Sequence, residues 1–343
     1  MPNVNDGVQT YELGNFELKC GVTLPNAFVA YKTFGDPSLP AIMYPTWYSG
    51  SIADNEWLIG EDMELSPKKY FVIIVAMFGN GQSSSPSNQA APMNGPNFPY
   101  IAVADNVRAQ YTLVTEKLGI KHLHAVVGWS MGAGQTYQWG VSYPDFMDYL
   151  VPFCGSARTA IHNKVFLESI KAALTADTEG FKGGNYGDKK PEVGLKAFGR
   201  VYAGWGFSQA WYREEIWKTQ FGFKTLEEFL VGFWEAWALS KDANNLLCML
   251  ETWKNGDISA GEPFNGDFEA ALRSIKAKTL VLPGHTDLYF PPEDSQYEAE
   301  HLNDGICESI PSIWGHWAGG PGDSKEDVRW LDERLSKFLN GKG

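Results

Sequence analysis

The chain has 343 residues, of which 44% are hydrophobic, so it can bury a sizeable core and carry an inserted unit beside a catalytic domain. A phosphate backbone would repel its formal net charge of −13, so nucleic acid is not an expected partner. The N-terminal segment has neither a basic start nor an apolar stretch, and no apolar run reaches the roughly 18 residues of a membrane span. We therefore expect a cytoplasmic protein that has no membrane partner.

Strands and helices alternate over most of the chain. Runs rich in β-branched or aromatic residues and bounded by turn residues predict strands, in chain order, at Ala27–Phe34, Ala41–Tyr44, Tyr70–Ala76, His124–Val127, Leu150–Phe153, Thr279–Leu282 and Ile306–Ile310. Helical apolar spacing predicts helices at Ile101–Leu118, Gln135–Tyr143 and Ser324–Leu339. Strands that alternate with helices imply a mostly parallel sheet covered on both faces.

The alternation stops between residues 157 and 270, where the pattern is helical without strands. Helices are predicted at His162–Ala173, Pro191–Val201, Ser208–Thr219, Thr225–Ala238 and Asn244–Lys254, with a loop at Gly180–Lys190. We expect residues 1–156 and 271–343 to form a catalytic core. Residues 157–270 would be an inserted helical cap over the carboxyl edge of the sheet, where open α/β folds bind ligands.

The four cysteines, Cys20, Cys154, Cys248 and Cys307, are widely separated. They form no C-x-x-C pair, and no set of Cys and His residues has the spacing of zinc ligands. Reduced thiols are the simplest state for such residues in an intracellular protein. The sequence therefore predicts no metal site and no cofactor. It leaves the oligomeric state open, with a homodimer as one alternative.

The segment H-A-V-V-G-W-S-M-G-A-G, residues 124–134, places a G-x-S-x-G motif between a predicted strand and a helical pattern. This is the context of the nucleophile elbow of the α/β-hydrolase fold, in which the serine sits on a sharp, strained turn. Gly128 and Gly132 remove side chains that would collide in that turn. Ser130 is therefore the predicted nucleophile. The backbone N–H of Met131, at the start of the helix, is a predicted oxyanion donor.

A serine hydroxyl needs a base to take its proton, and in this fold the chain order is serine, acid, histidine. His316 follows the last predicted strand and is the predicted general base. The other five histidines precede the serine, fall in helical patterns or lie beside the predicted acid: His122, His124, His162, His301 and His285.

The acid should follow the strand before that histidine. Asp287 lies just past Thr279–Leu282 and would hold the imidazole in one tautomer and stabilise the imidazolium. Asp257, Glu293 and Asp294 are the competitors. The last two follow a pair of prolines and resemble the first turn of a helix.

The second oxyanion donor is expected in the loop after an early strand. That loop is Y-P-T-W-Y-S-G-S, residues 44–51. The backbone N–H of Trp47 is the predicted donor, and Tyr48 is the neighbouring choice. The triad Ser130, Asp287 and His316 would then meet both donors at one edge of the sheet.

Several segments together resemble the homoserine O-acetyltransferase-like group of α/β-hydrolases. They span nearly the whole chain and are Tyr31–Gly35, Asp105–Gln110, Leu118–Trp139, Phe153–Arg158 and Thr286–Glu293. The resemblance implies this fold, a helical cap and acyl transfer through an acyl-serine. It assigns the same three triad roles to Ser130, Asp287 and His316.

Two positions depart from that group. The acetyltransferases have Gly before the nucleophile, where this chain has Trp129, and an acidic residue after the catalytic histidine, where it has Trp317. An apolar ring cannot replace a carboxylate as the partner of an ammonium group, which puts an amino-acid acceptor in doubt. Trp129, Tyr48 and Trp317 are predicted to line the substrate pocket, together with some of the cap's many aromatic side chains.

The sequence thus predicts a serine-dependent acyl hydrolase, of esterase or lactonase type, that acts on a small and rather apolar ester. One alternative is an O-acyltransferase that uses acyl-CoA, which would share the acyl-serine but pass the acyl group to an alcohol. Another is a ligand-binding homologue without turnover, against which the intact Ser, Asp and His argue.

Overall fold

The computed structural model describes residues 7–318 and 321–341. The first six residues lie outside this part. They belong to the N-terminal segment from which we predicted that the chain has no secretion signal. The described residues form an eight-stranded sheet in the order β1-β2-β4-β3-β5-β6-β7-β8. The strands are β1 Gln9–Glu17, β2 Thr23–Phe34, β3 Ala41–Pro45, β4 Phe71–Val75, β5 Leu123–Trp129, β6 Met147–Phe153, β7 Lys278–Val281 and β8 Gly305–Cys307.

The prediction of a mostly parallel sheet flanked by helices is confirmed. β3 to β8 run parallel to one another, whereas β2 is antiparallel to both β1 and β4. Each of the seven predicted strands overlaps an observed one. Strand β1 was not predicted, because this edge strand exposes most of its side chains and buries only Phe16. It therefore lacks the apolar runs that reveal the central strands.

Thirteen α-helices lie in the described residues. They are α1 Val103–Thr112, α2 Met131–Ser142, α3 Ile161–Thr175, α4 Thr178–Phe181, α5 Glu192–Gly206, α6 Gln209–Arg213, α7 Ile216–Thr219, α8 Leu226–Phe229, α9 Ala236–Ser240, α10 Ala243–Lys254, α11 Phe268–Ser274, α12 Pro292–His301 and α13 Lys325–Leu339. The predicted helix at Gln135–Tyr143 begins four residues earlier, directly after Ser130.

Helices α3 to α10 lie between β6 and β7, and the structure divides two of the predicted helices there. The predicted helix over residues 208–219 is split into α6 and α7 at Glu215, whose φ of +51° cannot continue a right-handed helix. The one over residues 225–238 contains a π-helical turn at Leu230–Glu235. The predicted loop at residues 180–190 begins in α4 and a short 3₁₀ turn. The predicted boundary at residue 270 falls within α11.

Buried apolar side chains form three clusters. One packs α1, α2 and α11 on one face of the sheet, and a second packs α13 on the other face. The third fills the helical segment between β6 and β7 and reaches Tyr48 and Met131 at the carboxyl edge of the sheet. No helix in residues 7–318 and 321–341 is long and apolar enough to cross a membrane.

Candidate active site

Ser130 occupies a sharp turn between β5 and α2. Its φ of +58° and ψ of −124° place a non-glycine residue in a strained region of backbone conformation. A Cβ atom at Gly128 would lie 2.2 Å from the carbonyl oxygen of Gly132, and one at Gly132 would lie 2.9 Å from the carbonyl oxygen of Pro45. The predicted reason for both glycines is therefore confirmed: the turn has no room for a side chain at either position.

The structure brings the three predicted triad residues together after β5, β7 and β8. The Oγ atom of Ser130 lies 2.8 Å from Nε2 of His316, and Nδ1 of His316 lies 2.8 Å from Oδ2 of Asp287. With the proton on Nδ1, the imidazole donates to the carboxylate and accepts from the serine hydroxyl. All three residues are at most 4% exposed. This geometry permits proton transfer from the serine to the imidazole.

The loop that carries the acid is held by further hydrogen bonds. The Oδ1 atom of Asp287 accepts the backbone N–H groups of Tyr289 at 2.8 Å and Phe290 at 3.2 Å, which fixes the carboxylate while Oδ2 faces the imidazole. The hydroxyl of Thr286 accepts the N–H of Gly315 at 3.1 Å and so connects the acid loop to the histidine loop. Sequence reasoning missed Thr286, since a threonine in a loop has no distinguishing pattern.

The rejected acids and bases make contacts with residues other than the triad. Asp257 lines a second cavity beside Ser130 and Met131, but its carboxylate accepts two hydrogen bonds from Ser259. Glu293 and Asp294 are in the first turn of α12, as predicted. At the surface, Nε2 of His122 lies 2.9 Å from Oδ1 of Asp148, and Nδ1 of His124 lies 4.0 Å from Oδ2 of the same carboxylate. The ring of His162 packs against Trp205, His285 is exposed, and Nε2 of His301 lies 3.6 Å from a carboxylate oxygen of Glu269.

The loop after β3, residues 46–50, lies beside the start of α2, where the side-chain amide of Gln135 donates to the carbonyl of Thr46 at 2.9 Å. In the described part of the chain, the backbone N–H groups of Trp47, Tyr48 and Met131 donate to no protein acceptor. Met131 is the first residue of α2, so its N–H lies at the positive end of the helix dipole. Such free donors suit an oxyanion, and Trp47 remains the predicted partner of Met131.

A cavity of about 210 Å³ opens above Ser130. The three predicted pocket residues lie on its wall with the predicted base and one predicted oxyanion residue: Tyr48, Trp129, Trp317, His316 and Trp47. Three charged residues that the sequence did not reveal as pocket residues, Asp54, Lys241 and Asp323, also line it. Most of the wall is aromatic, which favours a small and rather apolar ligand.

A family model for the alpha/beta hydrolase fold matches residues 53–320, more than half of the chain. The chain belongs to the α/β-hydrolase family. An ethyl acetate hydrolase of Pseudomonas veronii is 36% identical over 333 residues, which cover 96% of this chain and 94% of the relative. A monoclinic structure of the acetyl esterase MekB has a TM-score of 0.94 and 36% identity, and the match covers 97% of this chain and 96% of MekB.

The predicted membership in the homoserine O-acetyltransferase-like group is also confirmed. A homoserine O-acetyltransferase of Trichormus variabilis is 27% identical over 318 residues, which cover 88% of this chain and 86% of the relative. The esterase relatives are the more similar ones. This confirms the prediction that the protein is an enzyme for which hydrolysis is favoured over acyl transfer.

Proposed function

We propose that this protein is an esterase that hydrolyses a small ester of a short carboxylic acid through an acyl-Ser130 intermediate. The observation that carries the proposal is the hydrogen-bonded series from Ser130 through His316 to Asp287. Beside the serine, the backbone N–H of Met131 has no acceptor among the described residues. A serine, a base and an orienting acid at these distances activate a hydroxyl for attack on a carbonyl carbon.

In the acylation half-reaction, His316 takes the proton of Ser130 as Oγ bonds to the ester carbonyl carbon. The carbonyl electron pair moves onto oxygen, where the N–H groups of Met131 and Trp47 stabilise the negative charge. Collapse of this intermediate breaks the bond to the alcohol oxygen, which leaves with the proton from His316. Asp287 holds the imidazole through both transfers and stays ionised.

In the deacylation half-reaction, water replaces the alcohol and follows the same steps in reverse. His316 takes a proton from the water as its oxygen attacks the acyl carbon, and then returns that proton to Oγ of Ser130. The products are the free acid, the alcohol and the restored serine. The aromatic wall around the acyl group has Trp317 where the acetyltransferases have a carboxylate, so an amino-acid acceptor would lose its ammonium partner.

The substrate class follows from the relatives and from the cavity. An ethyl acetate hydrolase and an acetyl esterase are each 36% identical to this chain over nearly its whole length. A space of about 210 Å³ is several times the roughly 30 Å³ that one water occupies in the liquid, which suits a molecule of a few carbon atoms. We therefore propose short alkyl or aryl acetates as substrates.

The proposal is tested by activity and covalent labelling together. Purified protein should hydrolyse ethyl acetate and an aryl acetate, and a fluorophosphonate should label it and abolish turnover. Ser130→Ala should lose both hydrolysis and labelling, whereas Ser142→Ala, at the far end of α2, should keep both. Hydrolysis by the Ser130→Ala protein at the wild-type rate would remove the proposed nucleophile.

We also propose that the chain is divided into a catalytic core and a helical cap. We take residues 1–156 and 271–343 as the catalytic core and residues 157–270 as a cap. Supporting this division, helices α3 to α10 share one apolar cluster that reaches the start of α2. A cytoplasmic location and a homodimer remain predictions, for which fractionation of cells and light scattering are the tests.

A further inference from the structure

Lys241 follows the last residue of α9 and lies on the wall of the cavity above Ser130. It brings a cationic group to a site whose wall is otherwise largely aromatic. Its Nζ atom donates a hydrogen bond of 2.9 Å to the backbone carbonyl of Ser49, which is in the loop after β3. The two residues are 192 positions apart in the chain, so this bond connects the helical segment to the sheet edge.

Ser49 needs such support, because its backbone is strained. Its φ of +62° is in the left-handed region, which is unfavourable for a residue with a side chain. The same loop contains a tight turn in which the N–H of Gly50 donates to the carbonyl of Trp47 at 3.0 Å. The Ser49 carbonyl shares a rigid peptide plane with the N–H of Gly50, and the Trp47 carbonyl that accepts this N–H shares another with the N–H of Tyr48. The orientation of the Ser49 carbonyl is therefore coupled to the peptide group that joins Trp47 and Tyr48.

A second bond connects the same loop to the same helical segment. The hydroxyl of Tyr48 donates to the carbonyl of Leu246 in α10 at 3.2 Å, and Tyr48 is 2% exposed. The amide of Asn80 also donates to the carbonyl of Gly50 at 3.1 Å. Two of these three attachments come from residues 241–246. The position of the loop therefore depends on the helical segment as well as on the sheet.

Holding a cation at this position is unfavourable unless its interactions compensate for lost hydration. Burial lowers the pKa of the Lys241 ammonium, the carboxylate of Asp54 opposes that shift, and the positive charge of Lys190 adds to it. Removal of the Lys190 charge would therefore favour the Lys241 cation. A charged N–H donor to a carbonyl gives a stronger hydrogen bond than a neutral one. Oxyanion donors accelerate a reaction only if they are oriented before charge develops, so a rigid loop has a direct catalytic benefit.

We propose that Lys241 is a positioning residue that holds the loop of Trp47 and Tyr48 in the geometry that receives the oxyanion. The proposal rests on the esterase function argued above and adds to it a dependence of the oxyanion site on the helical segment. Substrate that is bound before reaction does not yet carry the oxyanion charge. Loss of Lys241 should therefore affect kcat more than KM.

The test compares Lys241→Met, Lys241→Arg and a matched control, Lys190→Met. Lys190 also donates to a backbone carbonyl of the helical segment, that of Leu239 at 2.9 Å, but it does not line the cavity above Ser130. The measurements are kcat and KM for an aryl acetate, the affinity for a trifluoromethyl ketone whose adduct carries an oxyanion, and the melting temperature.

We expect Lys241→Met to lower kcat by about 10-fold or more, with the ketone affinity falling in parallel, since loss of one oxyanion donor alone costs about 100-fold. KM should change by less than about 2-fold. Lys241→Arg should recover most of the activity, and Lys190→Met should match the wild type. If Lys241→Met does not fold, Lys241→Gln takes its place and carries the same expectation.

Unchanged kcat and unchanged ketone affinity in Lys241→Met would overturn the positioning role. An equal loss in Lys190→Met would do the same, because the effect would then be a general one on the helical segment. Failure of the esterase function itself is distinguishable: in that case the wild type would not hydrolyse the aryl acetate, or Ser130→Ala would keep its activity, whatever the lysine variants do.

Discussion

The indole ring of Trp129 lies almost parallel to the imidazole of His316, with 5.0 Å between ring centroids and 19° between ring planes. Trp129 is 1% exposed, and the ring of Trp47 packs edge-on against it at 4.7 Å. An indole face attracts a cation placed over it. Trp129 therefore covers the proposed base as well as lining the cavity, and it should favour the imidazolium that forms when Ser130 loses its proton.

Two substitutions of Trp129 separate the contribution of its aromatic face from that of its volume. Trp129→Phe keeps an aromatic face beside His316, whereas Trp129→Leu keeps apolar bulk without one. A shielded cation–π contact contributes about 1–2 kcal/mol, so kcat/KM for an aryl acetate should fall by about 10-fold in Trp129→Leu and by less in Trp129→Phe. Equal rates in the two variants would show that only the volume of the side chain matters.

The three triad residues should act as a unit. Asp287→Asn and His316→Ala should each lower kcat by about 1,000-fold or more, and the double variant should be little worse than the more damaged single one. Steady-state kinetics at saturating ester measures this. Glu293→Gln serves as the control, because this rejected acid is an exposed residue in the first turn of α12. Additive losses in the double variant would contradict a shared mechanism.

Glu298 in α12 should make stability depend on pH. It is 2% exposed, its Oε1 accepts the N–H of Ala157 at 2.8 Å, and burial raises its pKa from the ordinary 4.5 to about 8. The folded state therefore holds a proton that the unfolded state releases above pH 4.5. This contribution to stability is complete below pH 4.5 and is lost as pH rises through about 8.

Urea unfolding between pH 5 and 9 measures this effect against Glu298→Gln, which cannot ionise. The free energy of unfolding of the wild type should fall relative to the variant by on the order of 1 kcal/mol per pH unit, and the difference should level off above pH 8. Curves that stay parallel over the whole range would mean that Glu298 is already ionised in the folded protein at pH 5.

The acyl acceptor separates the esterase from the acetyltransferase relatives. With acetyl-CoA and L-homoserine, we expect no efficient formation of O-acetylhomoserine, because Trp317 cannot pair with the ammonium group of the acceptor. With an alkyl or aryl acetate alone, hydrolysis should proceed. Product analysis by mass spectrometry distinguishes the two reactions, and abundant O-acetylhomoserine with little ester hydrolysis would favour the transferase.

The nucleophile could be predicted from the sequence because its signal is local. The G-x-S-x-G motif, the strand before it and the helix after it are consecutive, and the acid and the histidine follow in the order that the fold requires. Lys241 and Thr286 could not be predicted in this way. Each acts through a bond to a distant segment, Ser49 in one case and Gly315 in the other, and no local pattern reveals such a contact.

The same limit applies to the fold. Central strands such as β4 and β5 are almost entirely buried and stand out as apolar runs, whereas β1 is exposed at the edge and does not. The predicted helix over residues 208–219 has continuous helical spacing, but the backbone of Glu215 interrupts it. Tertiary contacts determine the backbone conformation at such positions, and the helix propensity of the local sequence does not reveal it.

The most direct test of the account is to trap the covalent intermediate. An aryl acetate is mixed with the protein, the reaction is quenched with acid during the first turnover, and the digest is analysed by mass spectrometry. We predict one acetyl group on the peptide that contains Ser130, and none on that peptide from His316→Ala treated in the same way. Rapid turnover with no acetyl group on Ser130, or with the group on another residue, would contradict the acyl-serine mechanism.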